Sequence, residues 1–189
     1  MLDGWPLPSL SAEHVGFAIV AVLGFWILGA HNRLIRSGQT VTSAFAQVDV
    51  QLRQRHELLA ELIEAAAPLR EHAPEAVAAV EAARLAARSA ADQVAQRAKQ
   101  ADRMARLVLA EKALRLEVSR MLTLVKADPQ LRTDARLRAA MKQLSTTQHR
   151  LSAARDGFNA TVQQHNRSLQ QFPTRLVAAM FGFALAAQL

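Results

Sequence analysis

Between Gln39 and Asp156 the chain contains no glycine, and proline interrupts that stretch only at Pro68, Pro74 and Pro129, with Pro173 following. Proline removes a backbone donor and clashes with the preceding helical turn, so these sites separate helices rather than lie inside them. The segments between them are rich in Ala, Leu, Arg, Glu and Gln, which lose little freedom on becoming helical. Helices are therefore predicted over about 32–67, 75–126 and 130–172. Aromatic residues make up only 5% of the chain and β-branched residues are sparse, which excludes an all-β fold. There is no cysteine, so disulfide scaffolds, thiolate metal sites and cysteine nucleophiles are excluded as well. The predicted class is all-α.

Ahead of the first helix lies an uncharged apolar run, Val15 to Ala30. Its sixteen residues rise about 24 Å as a helix, against roughly 30 Å of bilayer hydrocarbon. Ala12, Glu13 and His14 extend it into the outer interface, and Trp26 lies near the inner one. A buried soluble helix is the alternative, but the run is terminal and has no polar face. A cleaved signal peptide requires a positive n-region, whereas Asp3 and Glu13 precede the first arginine, Arg33. With Arg33 and Arg36 on the C-terminal flank, the expected topology is a single pass with the N-terminus outside and the rest in the cytoplasm. The expected organisation is an extracytoplasmic 1–14, a transmembrane 15–31, a helical bundle over 32–173 and an apolar tail over 174–189.

Apolar residues in the long segments recur at 4-3 spacing. The first carries Val41, Phe45, Val48, Leu52, Arg55, Leu59, Leu62 and Ala66. The second carries Met104, Leu107, Glu111, Leu114, Val118, Met121 and Val125. The third runs from Leu137 through Met141, Leu144, Gln148, Leu151, Arg155, Phe158, Val162 and His165 to Leu169 and Phe172. Such narrow stripes describe antiparallel, up-and-down helices with coiled-coil-like packing. As one helix, 75–126 would reach about 78 Å, whereas the helix it packs on rises only about 54 Å from Asn32 to Pro68. A reversal is expected near Ser89–Gln93, giving four bundle helices, with three long helices as the alternative. The tail from Leu176 to Leu189 is too short to span and is expected either in the lipid interface or on the bundle. Arg33, Arg36, Arg175, Phe181 and Phe183 are assigned to the lipid-proximal end.

Counting helical rise from Asn32 and Phe172 brings Asp49 level with Arg155, and Arg55 and His56 level with Gln148; counting from the Asp128-Pro129 turn brings Glu111 level with Gln148 as well. Two structural polar layers are expected: an Asp49–Arg155 pair, and a cluster of Glu111, Gln148, Arg55 and His56, with Asn159 also assigned to them. Buried charges persist only when paired, and such layers fix register more than they add stability. A catalytic or metal reading is weaker. No H-E-x-x-H is present, since Ala60 stands four residues after His56, and no Glu-x-x-His pair occurs. No catalytic residue, cofactor or metal is expected. The net charge of +7 points to acidic partners, anionic lipid headgroups foremost. No aromatic platform accompanies the scattered basic residues, so nucleic acid is not expected as a partner.

Phe45-Ala46-Gln47-Val48-Asp49-Val50-Gln51-Leu52-Arg53-Gln54-Arg55-His56-Glu57-Leu58-Leu59 resembles the LemA signature. Asn32-Arg33-Leu34-Ile35 is similar to that family's exit from its anchor, and Ala110-Glu111-Lys112-Ala113-Leu114 to a second element. The longest match is Thr147 to Leu151, Ala154-Arg155, Phe158-Asn159, Val162, His165-Asn166, Leu169 and Phe172-Pro173, followed by Phe181-Gly182-Phe183. Phe45 stands where the family has Trp, and Phe158 and His165 where it has Tyr, marking a divergent member. The resemblance implies a bacterial inner-membrane protein with a cytoplasmic helical bundle and no established catalytic activity. Some relatives act in building the magnetosome membrane, which implies membrane-compartment biogenesis or remodelling as the alternative function. The expected function is a non-enzymatic, membrane-anchored scaffold. It is expected to self-associate through the Ala-rich 73–101 segment and to engage membrane or cytoplasmic proteins.

Overall fold

The computed structural model describes residues 12–189, without the side chain of Ala12; most of the segment expected outside the membrane, residues 1–11, lies outside the described residues. Seven helices form there and no strand: α1 (Ala12–Ala65), α2 (Leu69–His72), α3 (Pro74–Gln96), α4 (Ala101–Ala127), α5 (Pro129–Thr133), α6 (Ala135–Gln170) and α7 (Thr174–Met180).

Helix α1 runs unbroken for 54 residues, about 81 Å, because nothing in it interrupts the backbone ladder. Its apolar N-terminal part is unpartnered: Val15 to Trp26 are all exposed, Phe17 at 82%. A buried soluble helix would show the opposite. This is the one helix among the described residues long and apolar enough to cross a membrane. From Ala30 onward the same helix enters the bundle, with Ala30, Leu34, Val41 and Phe45 buried.

Pro68 and Pro74 turn the chain through the single turn α2 into α3, where Pro74 occupies the first helical position without breaking a hydrogen bond. The next reversal falls at 97–100, beyond the expected Ser89–Gln93, where Ala90, Ala91 and Val94 are buried inside α3 instead. The physical reason is length matching. The turn lies at the height of Gly38, whose Cα faces the Lys99 ammonium so closely that an added Cβ would stand 2.9 Å from Nζ. Gly38 to Ala65 spans about 40 Å, the height the α3–α4 hairpin has to cover. Asp128 then accepts hydrogen bonds from the Gln130 and Leu131 amides, and Asp134 from the Leu137 amide, capping α5 and α6.

Helix α1 is central. It packs along α6 on one side and α3 on the other, and α4 packs on α3, while no extended backbone contact joins α4 to α6. The core forms two apolar clusters along the axis. The one nearer the apolar part of α1 includes Phe45, Val48, Met104 and Phe158, with the Phe45 and Phe158 rings edge to face at 5.7 Å. The distal one includes Leu59, Leu62, Leu114, Met121 and Leu137. At the base, an Arg33 N–H donates to Thr174 Oγ1 at 2.8 Å, so the end of α6 returns to the height at which α1 leaves its apolar segment.

Candidate binding site

Between the two apolar clusters the bundle carries its polar cross-section. Arg55 and Glu111 pair at 2.5 Å with side chains 8% and 6% exposed, the only ion pair among the described residues with both partners buried. They are the polar exceptions in the stripes of α1 and α4, and each is tolerated at a core position because the other neutralises it. Arg55 Nε is left without a partner.

The rest of that predicted layer disperses. His56 is buried, but it faces α3 rather than Glu111, in a small cavity of about 170 Å³ lined also by Arg84 and Arg88. Burial first, then the charges of Arg55, Arg84 and Arg88, push its pKa down to about 4, so the ring is neutral at pH 7. Gln148 is exposed and lines the side of α6 towards α4. The expected Asp49–Arg155 pair does not form. Asp49 instead accepts from Arg53 one turn along α1 at 2.8 Å, and Arg53 reaches on to Asp92 of α3 at 3.2 Å. Helical rise places Asp49 and Arg155 at one height, yet they lie on different sides of α1, because successive residues rotate by about 100°.

Asn159 belongs to no charged layer. Its side-chain amide donates to the Leu189 carbonyl and accepts from the Leu189 amide, both at 2.9 Å. Asn166, two turns away, does the same to Ala186 at 2.8 and 2.9 Å. The tail thus runs back along α6 as if paired to a strand, with Ala186 buried in the cluster that contains Met104 and Phe158. The reversal that sends it there is made at the end of α7. Gly182 has φ +67°, and the Phe183 amide bonds to the Ala178 carbonyl at 3.0 Å, a Schellman turn that disfavours any residue with a Cβ. His165 completes the clamp: Nδ1 lies 2.8 Å from Ser37 Oγ, and the ring also bonds to the Ala184 backbone. Burial and then Lys99 lower its pKa, which disfavours the charged form of the ring. The pair thereby ties α1 and α6 to the tail.

Of the residues assigned to the lipid-proximal end, Arg33 is bonded to Thr174, Arg36 to the Asn32 carbonyl, and Arg175 is exposed. Phe181 and Phe183 pack on the His31 ring, with centroids 4.4 and 5.5 Å away. Phe172, Leu176 and Met180 are exposed there, and Phe181 and Leu185 remain half exposed.

The model of the LemA family matches residues 44–189. The chain belongs to the LemA family. The match covers most of the bundle and the docked tail, and it begins after the apolar part of α1, so the matched region includes the Arg55–Glu111 layer and both asparagine clamps. A search of curated proteins finds no match. Among the described residues of this LemA chain, no group of three or more His, Asp or Glu side chains converges as a metal site would need. What the LemA bundle does offer is a seam between α4 and α6 lined by arginines and apolar side chains.

The asparagine clamps lend themselves to a direct test. Asn159→Ala with Asn166→Ala removes four hydrogen bonds that hold the tail, each contributing about 1 kcal/mol. The expected result is at least a tenfold loss of hydrogen-exchange protection at the Ala186 and Leu189 amides, with the protection of α6 itself retained.

Proposed function

We propose that this protein is a non-enzymatic scaffold of the bacterial inner membrane, anchored by residues 15–31 with its N-terminus outside, whose bundle self-associates and holds partner proteins at the cytoplasmic face. The observation that carries the reading is the unbroken passage of α1 from a bare apolar segment into a packed bundle, which gives a stiff post rather than a tethered domain. The bundle's outer surface supports self-association. Ala78, Ala82, Leu85 and Ser89 are exposed on α3 at 4-3 spacing, and Leu109 and Leu116 are exposed one heptad apart on α4. A second narrow stripe pointing away from the core is what a helical partner would pack on.

The absence of cysteine makes the test clean. Leu85→Cys or Leu116→Cys in native membranes should give disulfide-linked dimers on mild oxidation, while Lys142→Cys on exposed α6 should not. Monomer from all three would defeat the self-association reading. A reporter fused after Leu189 that is active only outside the cytoplasm should be silent, and activity would overturn the topology. The exposure of Phe172, Leu176 and Met180 at the base supports membrane remodelling as the second reading. It predicts that Phe172→Ser with Met180→Ser abolishes any effect of the protein on vesicle shape.

A further inference from the structure

The α4–α6 seam is the one long side of the bundle that backbone packing leaves open. It contains a groove of about 620 Å³, within the range of small-molecule sites. Its ends differ in chemistry. Towards the membrane the lining is Arg55, Arg155, Gln148 and Ser152; away from it, Leu122, Met141 and Leu144. Arg115 lies between them. Arg55 is nine-tenths buried with Nε unsatisfied, while Arg115 and Arg155 have no hydrogen bond or ion pair among the described residues. No acidic side chain lines the groove. Glu111 already neutralises Arg55, so the net positive charge at the groove is that of half-buried Arg155 and solvent-exposed Arg115, with the unpaired Arg55 Nε–H as a further donor, an arrangement suited to an anion.

The shape of the occupant follows from the tail. Asn166, Asn159, Ser152 and Ser145 stand one heptad apart on a single line of α6, of which the tail covers the first two places. The remaining two border the groove. The seam already accepts a slender extended chain of small apolar residues, and the groove continues that track for about 21 Å from Arg155 to Met141. Arg55 stands about 33 Å above Arg33 along α1, so a lipid resident in the bilayer does not reach it.

We propose that the α4–α6 groove binds a free, single-chain fatty carboxylate, its head between Arg55, Arg115 and Arg155 and its chain directed towards Leu122 and Met141. The test uses the full-length chain in phosphatidylcholine nanodiscs with a long-chain carboxylate carrying a diazirine in its tail. Its methyl ester serves as the neutral control, and the apolar segment 15–30, labelled by both, is the internal reference. The carboxylate should label 118–122 and 141–144 and the ester should not. Arg115→Gln with Arg155→Gln should lower that labelling by roughly tenfold or more, since two charged hydrogen-bond donors are lost, while labelling of 15–30 stays constant. Should that variant melt early, Met141→Trp, which fills the apolar end and keeps every arginine, should block labelling instead. Labelling confined to 15–30, or equal labelling of the groove by the ester, overturns the proposal. Crosslinking of an acidic amphipathic peptide to 141–155 in the absence of carboxylate labelling overturns it in favour of protein docking.

Discussion

Glu111→Leu is expected to destabilise the bundle by about 3–5 kcal/mol, the usual consequence of leaving one partner of a buried ion pair unneutralised. The Arg55 guanidinium would remain between the two apolar clusters with no counter-charge. Arg55→Met should cost a comparable amount through the stranded carboxylate. The double variant Arg55→Met, Glu111→Leu should recover most of the loss, because two apolar side chains of similar volume remove the desolvation cost along with the attraction. Denaturant unfolding of the four proteins at pH 7 measures the cycle. A double variant no better than the singles would mean that Arg55 and Glu111 act separately, and that the layer does not join α1 to α4.

Lowering the pH from 7 to 4 should remove about 3 kcal/mol of stability through His56 alone. In the unfolded chain the imidazole takes up a proton near pH 6.5, whereas in the fold burial and the neighbouring Arg55, Arg84 and Arg88 hold it neutral down to about 4. Between those values the unfolded state binds more protons, so stability falls as the pH falls. The contribution is complete above pH 6.5 and gone by about pH 4. His165 is shifted in the same direction, by burial and then Lys99, and adds to the slope. Unfolding of His56→Leu at pH 7, 5.5 and 4 isolates the effect: the variant should be markedly less acid-sensitive than the parent. An unchanged slope would show that His56 is hydrated and free to titrate in the fold.

The two polar exceptions of the first stripes, Arg55 and Glu111, were legible as partners because a buried charge at a core position needs an opposite one. The exceptions on α6 follow a different logic. Gln148 and Arg155 interrupt its stripe because α6 borders the open seam, and His165 because it holds the tail. Asn159 stood out within a family motif, but its role depends on a segment thirty residues away folding back through the Gly182 turn. Gly182 is the local signal that could have pointed to this, since a glycine after a short apolar helix marks a reversal.

Periodicity and punctuation are local, and they determined what is local here: an all-α chain, a continuous apolar-to-amphipathic first helix, breaks at Pro68, Pro74 and Pro129, and which faces are buried. Rise per residue is equally local, so heights along the bundle followed as well, including the meeting of Asn32–Arg33 with Phe172–Thr174. Azimuth is not local. Which helix lies to each side of α1 depends on the handedness of the bundle, and that alone directs Asp49 and His56 towards α3 while opening a cationic seam between α4 and α6. The position of the α3–α4 turn was likewise decided by the length of α1 it had to match, and the place of the tail by two asparagines on α6.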